Sequence, residues 1–225
     1  MKTFKLEGKS REIIARSADQ KRALKAMRKN DEIPAVLYDG KVFDLPYTGA
    51  LKPGQSVVEL KDCNGNGNGK GVIVTNFAVT NDAVRKLVYT PEIFVVELTI
   101  DGETTMAIMK EIQFHPVSDK ILHMDFLAVS KEKPVEMEVP VALEGHAEGV
   151  KAGGKLTLQM RKLRVKAIYD QIPEKLVINV DNLGLGKTMQ VGALHFEGLE
   201  VMNAKNAVVC AVQLTRAARG AQAKA

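Results

Sequence analysis

At 225 residues, the chain is long enough for one large domain or two ordinary ones, each able to bury its own core. No apolar run approaches the roughly 20 residues of a membrane span, and the opening MKTFKLEGKS holds no apolar stretch of the secretory kind. No membrane association and no export are expected, and the well-separated Cys63 and Cys210 are expected as free thiols in a reducing cytoplasm.

The net charge of +5 is unevenly spread. Residues 1–29 carry ten Lys or Arg against three Asp or Glu, a local +7, so the remainder sums to −2. A basic end on a near-neutral body suits a localised contact with a polyanion. The alternative is a solvated basic face with no partner.

Thr3 to Leu6 reads as a first strand. Ser17-Ala18-Asp19-Gln20 fits a capping box, with Ser17 as N-cap and Gln20 reaching back. The helix that follows is expected to run to about Asn30. Ala23, Met27 and Leu24 form a narrow apolar stripe, and Lys21, Lys25, Arg28 and Lys29 form a basic one beside it. Such a helix packs by one side and offers the other to phosphates. Ile33 to Tyr38 is a strand, expected to stop at Asp39-Gly40, with Lys41 to Tyr47 returning as a hairpin. Tyr38 suits stacking on a base or ribose, although a half-buried strand tyrosine is the commoner case. Ser56 to Leu60 is another strand. Asn64 to Gly71, NGNGNGKG, has little side chain to pack and reads as a flexible loop. Its spacing fits no dinucleotide fingerprint.

Val72 to Val79 resumes as a strand, and Thr80 or Asn81 caps a short helix through Val88. Ile93 to Ile100 and Thr104 to Ile112 form a hairpin about Asp101-Gly102. This hairpin delivers Lys110 to Ser130, KEIQFHPVSDKILHMDFLAVS, with a turn at Pro116 to Asp119. Ile121, Met124 and Phe126 are expected inside, and Lys120, His123 and Asp125 outside. His123 and Asp125 are two apart, so on a strand they leave the same face. An imidazole beside a carboxylate matches edges that carry both donors and acceptors, as nucleobases do. The fold expected here is mainly β: an N-terminal, mostly antiparallel β-barrel with two short helices.

Lys131 to Pro134 is a polar break and the expected boundary. Beyond it Val135, Met137, Val139 and Val141 alternate with Glu136 and Glu138. Further short strands at Leu156–Met160, Leu163–Ile168, Leu176–Val180, Met189–Val191, Leu199–Met202 and Ala207–Leu214 predict a separate all-β C-terminal domain. The expected division is 1–129, with 130–215 as the second domain and 216–225 as a disordered basic tail.

Three chemistries were weighed. Gly184-Leu185-Gly186-Lys187-Thr188 resembles the end of a P-loop, but Asp181 stands where the first glycine is required, and strand rather than helix is expected after Thr188. His115, His123 and Asp125 are possible metal ligands, yet no acid-rich patch or cysteine pair supports them. Neither cysteine has an activating neighbour in sequence. No catalytic, metal or cofactor site is expected.

Three segments resemble one family, the bacterial large-subunit ribosomal proteins numbered twenty-five, which bind 5S rRNA, in their longer general-stress (Ctc) form. They are the basic helix with Ile33-Pro34-Ala35-Val36-Leu37-Tyr38, the motif Gln113-Phe114-His115-Pro116 with His123-Met124-Asp125-Phe126, and Val135 to Pro140 with Gly145 to Gly154 and Ile172-Pro173-Glu174. The resemblance implies a barrel whose helix and sheet face grip an internal loop of 5S rRNA. It assigns phosphate contacts to Lys25 and Arg28, with Lys21 in the same stripe. Tyr38, Lys110, His123 and Asp125 become sheet-side contacts, with Gln113 of the same motif. The family usually carries Gly-Lys-Gly and paired arginines before Ile-Pro, where this chain has Lys21 to Ala26. Residues 39–71 read as an insertion. The expected partners are 5S rRNA, the large ribosomal subunit and neighbouring ribosomal proteins, with the chain a monomer in the cytoplasmic ribosome. The alternative is a protein-interaction or chaperone-like β protein with no RNA partner.

Overall fold

A computed structural model describes residues 2–12, 17–61, 67–131 and 133–215. The chain divides into two compact units, Lys2–Ser130 and a second that begins at Lys131.

The first unit runs β1 (Lys2–Ser10), α1 (Ser17–Lys29), β2 (Glu32–Asp44), β3 (Gln55–Lys61), β4 (Gly67–Thr80), α2 (Asn81–Val88), β5 (Phe94–Ile100), β6 (Glu103–Phe114) and β7 (Ile121–Ala128). The strands pair in the order β1-β5-β6-β7-β2-β4, and β4 pairs back to β1, which closes a six-stranded barrel. Closure leaves none of those six as a free edge along its whole length. β3 extends outward from β4. Alternation along the strands sends Leu6, Ala35, Phe77, Val96, Leu98, Ala107, Met124 and Phe126 into one core, all essentially inaccessible. Phe77 and Phe126 meet at its centre with ring centroids 5.8 Å apart. Each such aromatic or branched side chain contributes about 1.5–3 kcal/mol. α2 adds Val84 and Leu87, three apart on one helix face, to the same core. Gly8 is required where β1 crosses this core, because a Cβ there would lie 2.6 Å from Phe77 Cδ2.

The β5–β6 turn has Asp101 and Gly102 both at positive φ, +47° and +90°, as an Asp-Gly hairpin demands. Three other expectations are corrected. β2 does not stop at Asp39-Gly40. It bulges between Tyr38 and Val42, with Gly40 at φ +68°, and Val42, Phe43 and Asp44 go on pairing with Val72, Gly71 and Lys70. A glycine turn signal inside a strand marks a bulge as readily as a reversal. Gly67 to Gly71 is strand rather than loop. It forms the first part of β4, between β3 and the end of β2, because ladder hydrogen bonds need backbone alone. Finally, β1–β5 and β2–β7 are parallel while the other pairs of this unit are antiparallel. Those partners are remote in sequence, so no turn announces them.

The second unit comprises β8 (Val135–Glu144), the single-turn α3 (Glu148–Lys151), β9 (Lys155–Leu158), β10 (Lys162–Ala167), β11 (Leu176–Asn179), β12 (Thr188–Gln190), β13 (Glu200–Val201) and β14 (Val208–Gln213). They form a four-stranded sheet, β11-β8-β10-β13, and a three-stranded one, β12-β14-β9. Val139, Leu163 and Val165 are fully buried, as the alternation requires. Cys210 is a buried free thiol, pushed up by desolvation and so unreactive. Asp181 ties the β8–α3 connection down by accepting the His146 N–H at 2.7 Å. That bond, followed by one with the Asn179 side chain, holds its carboxyl below the usual aspartate value. Thr188 opens β12 and not a helix, so the P-loop-like stretch has no helix N-terminus to offer a phosphate.

Cys63, the Ser17 side chain and the 216–225 tail lie outside the described residues. Among the described residues no helix is long and apolar enough to cross a membrane.

Candidate nucleic-acid interface

β7 is flanked by β6 on one side and β2 on the other. Met124 and Phe126 point into the core, so His123 and Asp125 leave by the outer face. Both are half-buried rather than fully exposed, at 28% and 17% of their side chains. His123 Nδ1 lies 3.1 Å from Asp125 Oδ1. The approach is off the line of a hydrogen bond, so Oδ1 is buried with no hydrogen-bond partner among the described residues.

Register gathers the remaining sheet residues on this face. Gln113 pairs with His123, Glu111 with Asp125, and Val36 with Asp125 from the other side. Tyr38 follows Val36 by two residues and stays on its face. Burial, then the charges of Asp125 and Glu111, push its hydroxyl above the ordinary tyrosine value. Tyr38 therefore remains a protonated donor throughout the neutral range. Lys110 reaches the same face by a bulge: the β6–β7 register shifts between Met109 and Glu111. Met109 and Ile112 are three apart and both pack on the core. The two residues between them, Lys110 and Glu111, therefore both turn outward and are exposed.

α1 supplies the cations. Lys21, Lys25 and Arg28 are exposed at spacings of four and three, while Ala23, Leu24 and Met27 are half-buried. Arg22 sits 3.8 Å from Asp19. Among the described residues Lys21, Lys25, Arg28 and Lys29 have no ion-pair partner. The helix packs against β2 and enters it through a turn with Asp31 at φ +57°. Because β2 and β7 are parallel neighbours, both begin at the end of the barrel where α1 finishes. One cleft joins them, lined by Arg28 from the helix and by His115, Ser118, Lys120 and Leu122 beside β7. The last helical turn is thus a short step from the His123–Asp125 face.

Charge sharpens this geometry. Residues 30–130 carry eight Lys or Arg against fourteen Asp or Glu, a net of −6, so the barrel body is acidic and not neutral. The exposed cations of α1 thus form a local basic patch against a net-acidic stretch of the same unit.

Two residues of this region have roles that the sequence did not suggest. Glu111 joins the face only because of the bulge. His115 organises the β6–β7 turn: its Nδ1 accepts from the backbone N–H groups of Val117 and Ser118, each at 3.2 Å. That leaves Nε2 as the donor of the neutral ring. Among the described residues no three His, Cys, Asp or Glu side chains gather as metal ligands.

Residues 64–126 match the Ribosomal L25p family, and residues 134–216 match the family described as ribosomal protein TL5, C-terminal domain. The chain is 73% identical to large ribosomal subunit protein bL25 of Parabacteroides distasonis, with all of both chains covered. It is 59% identical to the protein of the same name from Porphyromonas gingivalis, over all of this chain and 99% of the relative. The bL25 of Azobacteroides pseudotrichonymphae is 49% identical, with 97% of each chain covered.

Proposed function

The chain belongs to the bL25 family of large-subunit ribosomal proteins, and from that premise we propose that it is a non-enzymatic structural constituent of the large ribosomal subunit, in the cytoplasm, that binds 5S rRNA. The observation that carries the RNA reading is the adjacency of two unlike surfaces. Arg28, in the last turn of α1, lines one cleft with Ile121 and Leu122 at the start of β7, the strand whose outer side bears His123 and Asp125, with Gln113, Lys110 and Tyr38 on its neighbours. Lys21, Lys25 and Arg28 neutralise phosphates and supply salt-dependent affinity. His123, Asp125, Gln113 and Tyr38 pair with base or sugar edges and supply discrimination.

A-form RNA hides its base edges in a deep, narrow groove, so the target is an opened internal loop rather than a regular helix. The barrel wall is a closed sheet, too broad for a narrow groove, so a widened one is required to admit it. The test is a gel-shift titration of 5S rRNA with the purified full chain, with a fully paired RNA duplex as competitor. Saturable binding that the duplex fails to displace supports the reading, and equal affinity for both removes it. Nuclease treatment before purification separates it from a protein-only partner, because only an RNA-held complex is then lost.

A further inference from the structure

The cleft between α1 and the β6–β7 turn has a rim that the sheet-face contacts do not use. Its floor is apolar, formed by Ile33, Ile121 and Leu122, of which Ile33 and Ile121 are buried. Its rim carries Arg28 and Lys120 as cations, Asp31 and Glu32 as carboxylates, and the polar side chains of Asn81, Ser118 and His115. The cations are matched by the carboxylates, so this is no simple phosphate cradle. Donors and acceptors in equal measure around an apolar floor are what an unstacked nucleobase needs, with flanking phosphates held by cations at the mouth.

The rim is also preset. His115 accepts two backbone N–H groups through Nδ1, which fixes the ring and leaves Nε2 as its donor. The Asn81 N–H donates to the Asp31 carbonyl at 2.9 Å, which fixes the start of α2 against the end of α1. The turn is closed by His115 N–H to the Lys120 carbonyl at 2.8 Å.

We propose that this cleft receives one splayed-out nucleotide of the bound RNA, its base over Ile33, Ile121 and Leu122 and its flanking phosphates beside Arg28 and Lys120. The proposal rests on the RNA reading above and extends its footprint beyond the sheet face by way of Arg28. The occupant is a nucleotide and not a peptide side chain, because Arg28 at the rim belongs to the exposed stripe of α1, whose Lys21, Lys25 and Arg28 have no ion-pair partner among the described residues.

The test uses the double variant Asn81→Ala/Ser118→Ala, which strips two uncharged rim groups and leaves the net charge unchanged. Ser118 contributes its backbone N–H to the His115 contact, so the turn keeps its hydrogen bonds. The probe is 5S rRNA, read by gel shift and by nucleotide-resolution chemical reactivity in the complex. The expected result is roughly tenfold weaker binding, the size of one base contact, with an unchanged salt slope. One nucleotide regains base reactivity while the rest of the footprint persists. Wild-type affinity and reactivity in the double variant overturn the cleft. His123→Ala runs in parallel: if it weakens binding and the double variant does not, only the cleft falls. If neither variant weakens binding, the sheet-face reading fails as well. A melting curve matching wild type excludes misfolding, and Lys120→Ala, expected to lower both affinity and salt slope, gives a second reading of the same rim.

Discussion

Replacing His123 with alanine separates a binding role from a structural one. The side chain is 28% exposed and touches one charged neighbour, Asp125, at 3.1 Å. A partly solvated pair of this kind contributes about 1 kcal/mol or less to folding, which corresponds to a melting shift of about 2–4 °C at most. Binding responds more strongly. Removing the imidazole deletes one polar contact to a base edge, worth about 1–3 kcal/mol, so the Kd for 5S rRNA rises roughly 5- to 150-fold. The measurements are filter binding at fixed salt and thermal denaturation of the same preparations. His123→Gln, which keeps a donor of similar reach, is expected to recover part of the affinity. A Kd within about twofold of wild type, with the fold intact, refutes the role assigned to this face. A melting shift large enough to account for the binding loss refutes it equally.

Lys25→Ala and Arg28→Ala are each expected to reduce the slope of log affinity against log salt by about 1, with little change in preference among RNA sequences; titrations at several salt concentrations check this. Gly8→Ala places a Cβ 2.6 Å from the fully buried Phe77 ring, and overpacking of that kind destabilises by about 1–3 kcal/mol, read as a lower urea midpoint of the first unit. For Asp181, the depressed folded value means that its carboxylate favours folding in full above the ordinary aspartate range, and this contribution fades as pH falls through the depressed value. Asp181→Ala is therefore expected to lower the denaturation midpoint of the second unit at pH 7 and to converge with wild type as acid protonates the carboxyl in the folded state; a gap that stays constant down to the acid limb contradicts the assignment.

Much of the first unit was legible because its strands are long, alternate cleanly and are joined by turns of strong chemistry. Asp101-Gly102 is the clearest case, since both residues sit at the positive φ that their identity allows. The inward set Ile121, Met124 and Phe126 was readable for the same reason, although the outer pair is half-buried because β2 and β6 flank it. The misreadings share a cause. Gly40 reads locally as punctuation, but its positive φ serves a bulge inside β2. The glycines from Gly67 to Gly71 read locally as slack, but a ladder between two strands asks only for N–H and C=O groups. Period-two reasoning also fails across Lys110-Glu111, where consecutive residues share a face, and this is how Glu111 escaped notice. His115 was weighed as a ligand when its Nδ1 is occupied by turn amides. None of these is visible without the partner strand or the folded loop. The basic stripe of α1 was legible from helical spacing alone, but its nearness to β7 was not, because that depends on a parallel pairing between strands that no local signal links.

The order of synthesis gives the pairing of β1 a kinetic meaning. Lys2 pairs with Phe94, and the same strand pairs with β4 only through Lys9 and Ser10. β1 is made well before β5, its main partner, and so waits for most of its unit before it can dock, a large loop to close. β7 arrives later still, at Ile121–Ala128. Until it pairs with β2 and β6, the outer face that carries His123 and Asp125 does not exist. The RNA contact proposed above would therefore have its cations before its sheet face, which is assembled only once the ring has closed.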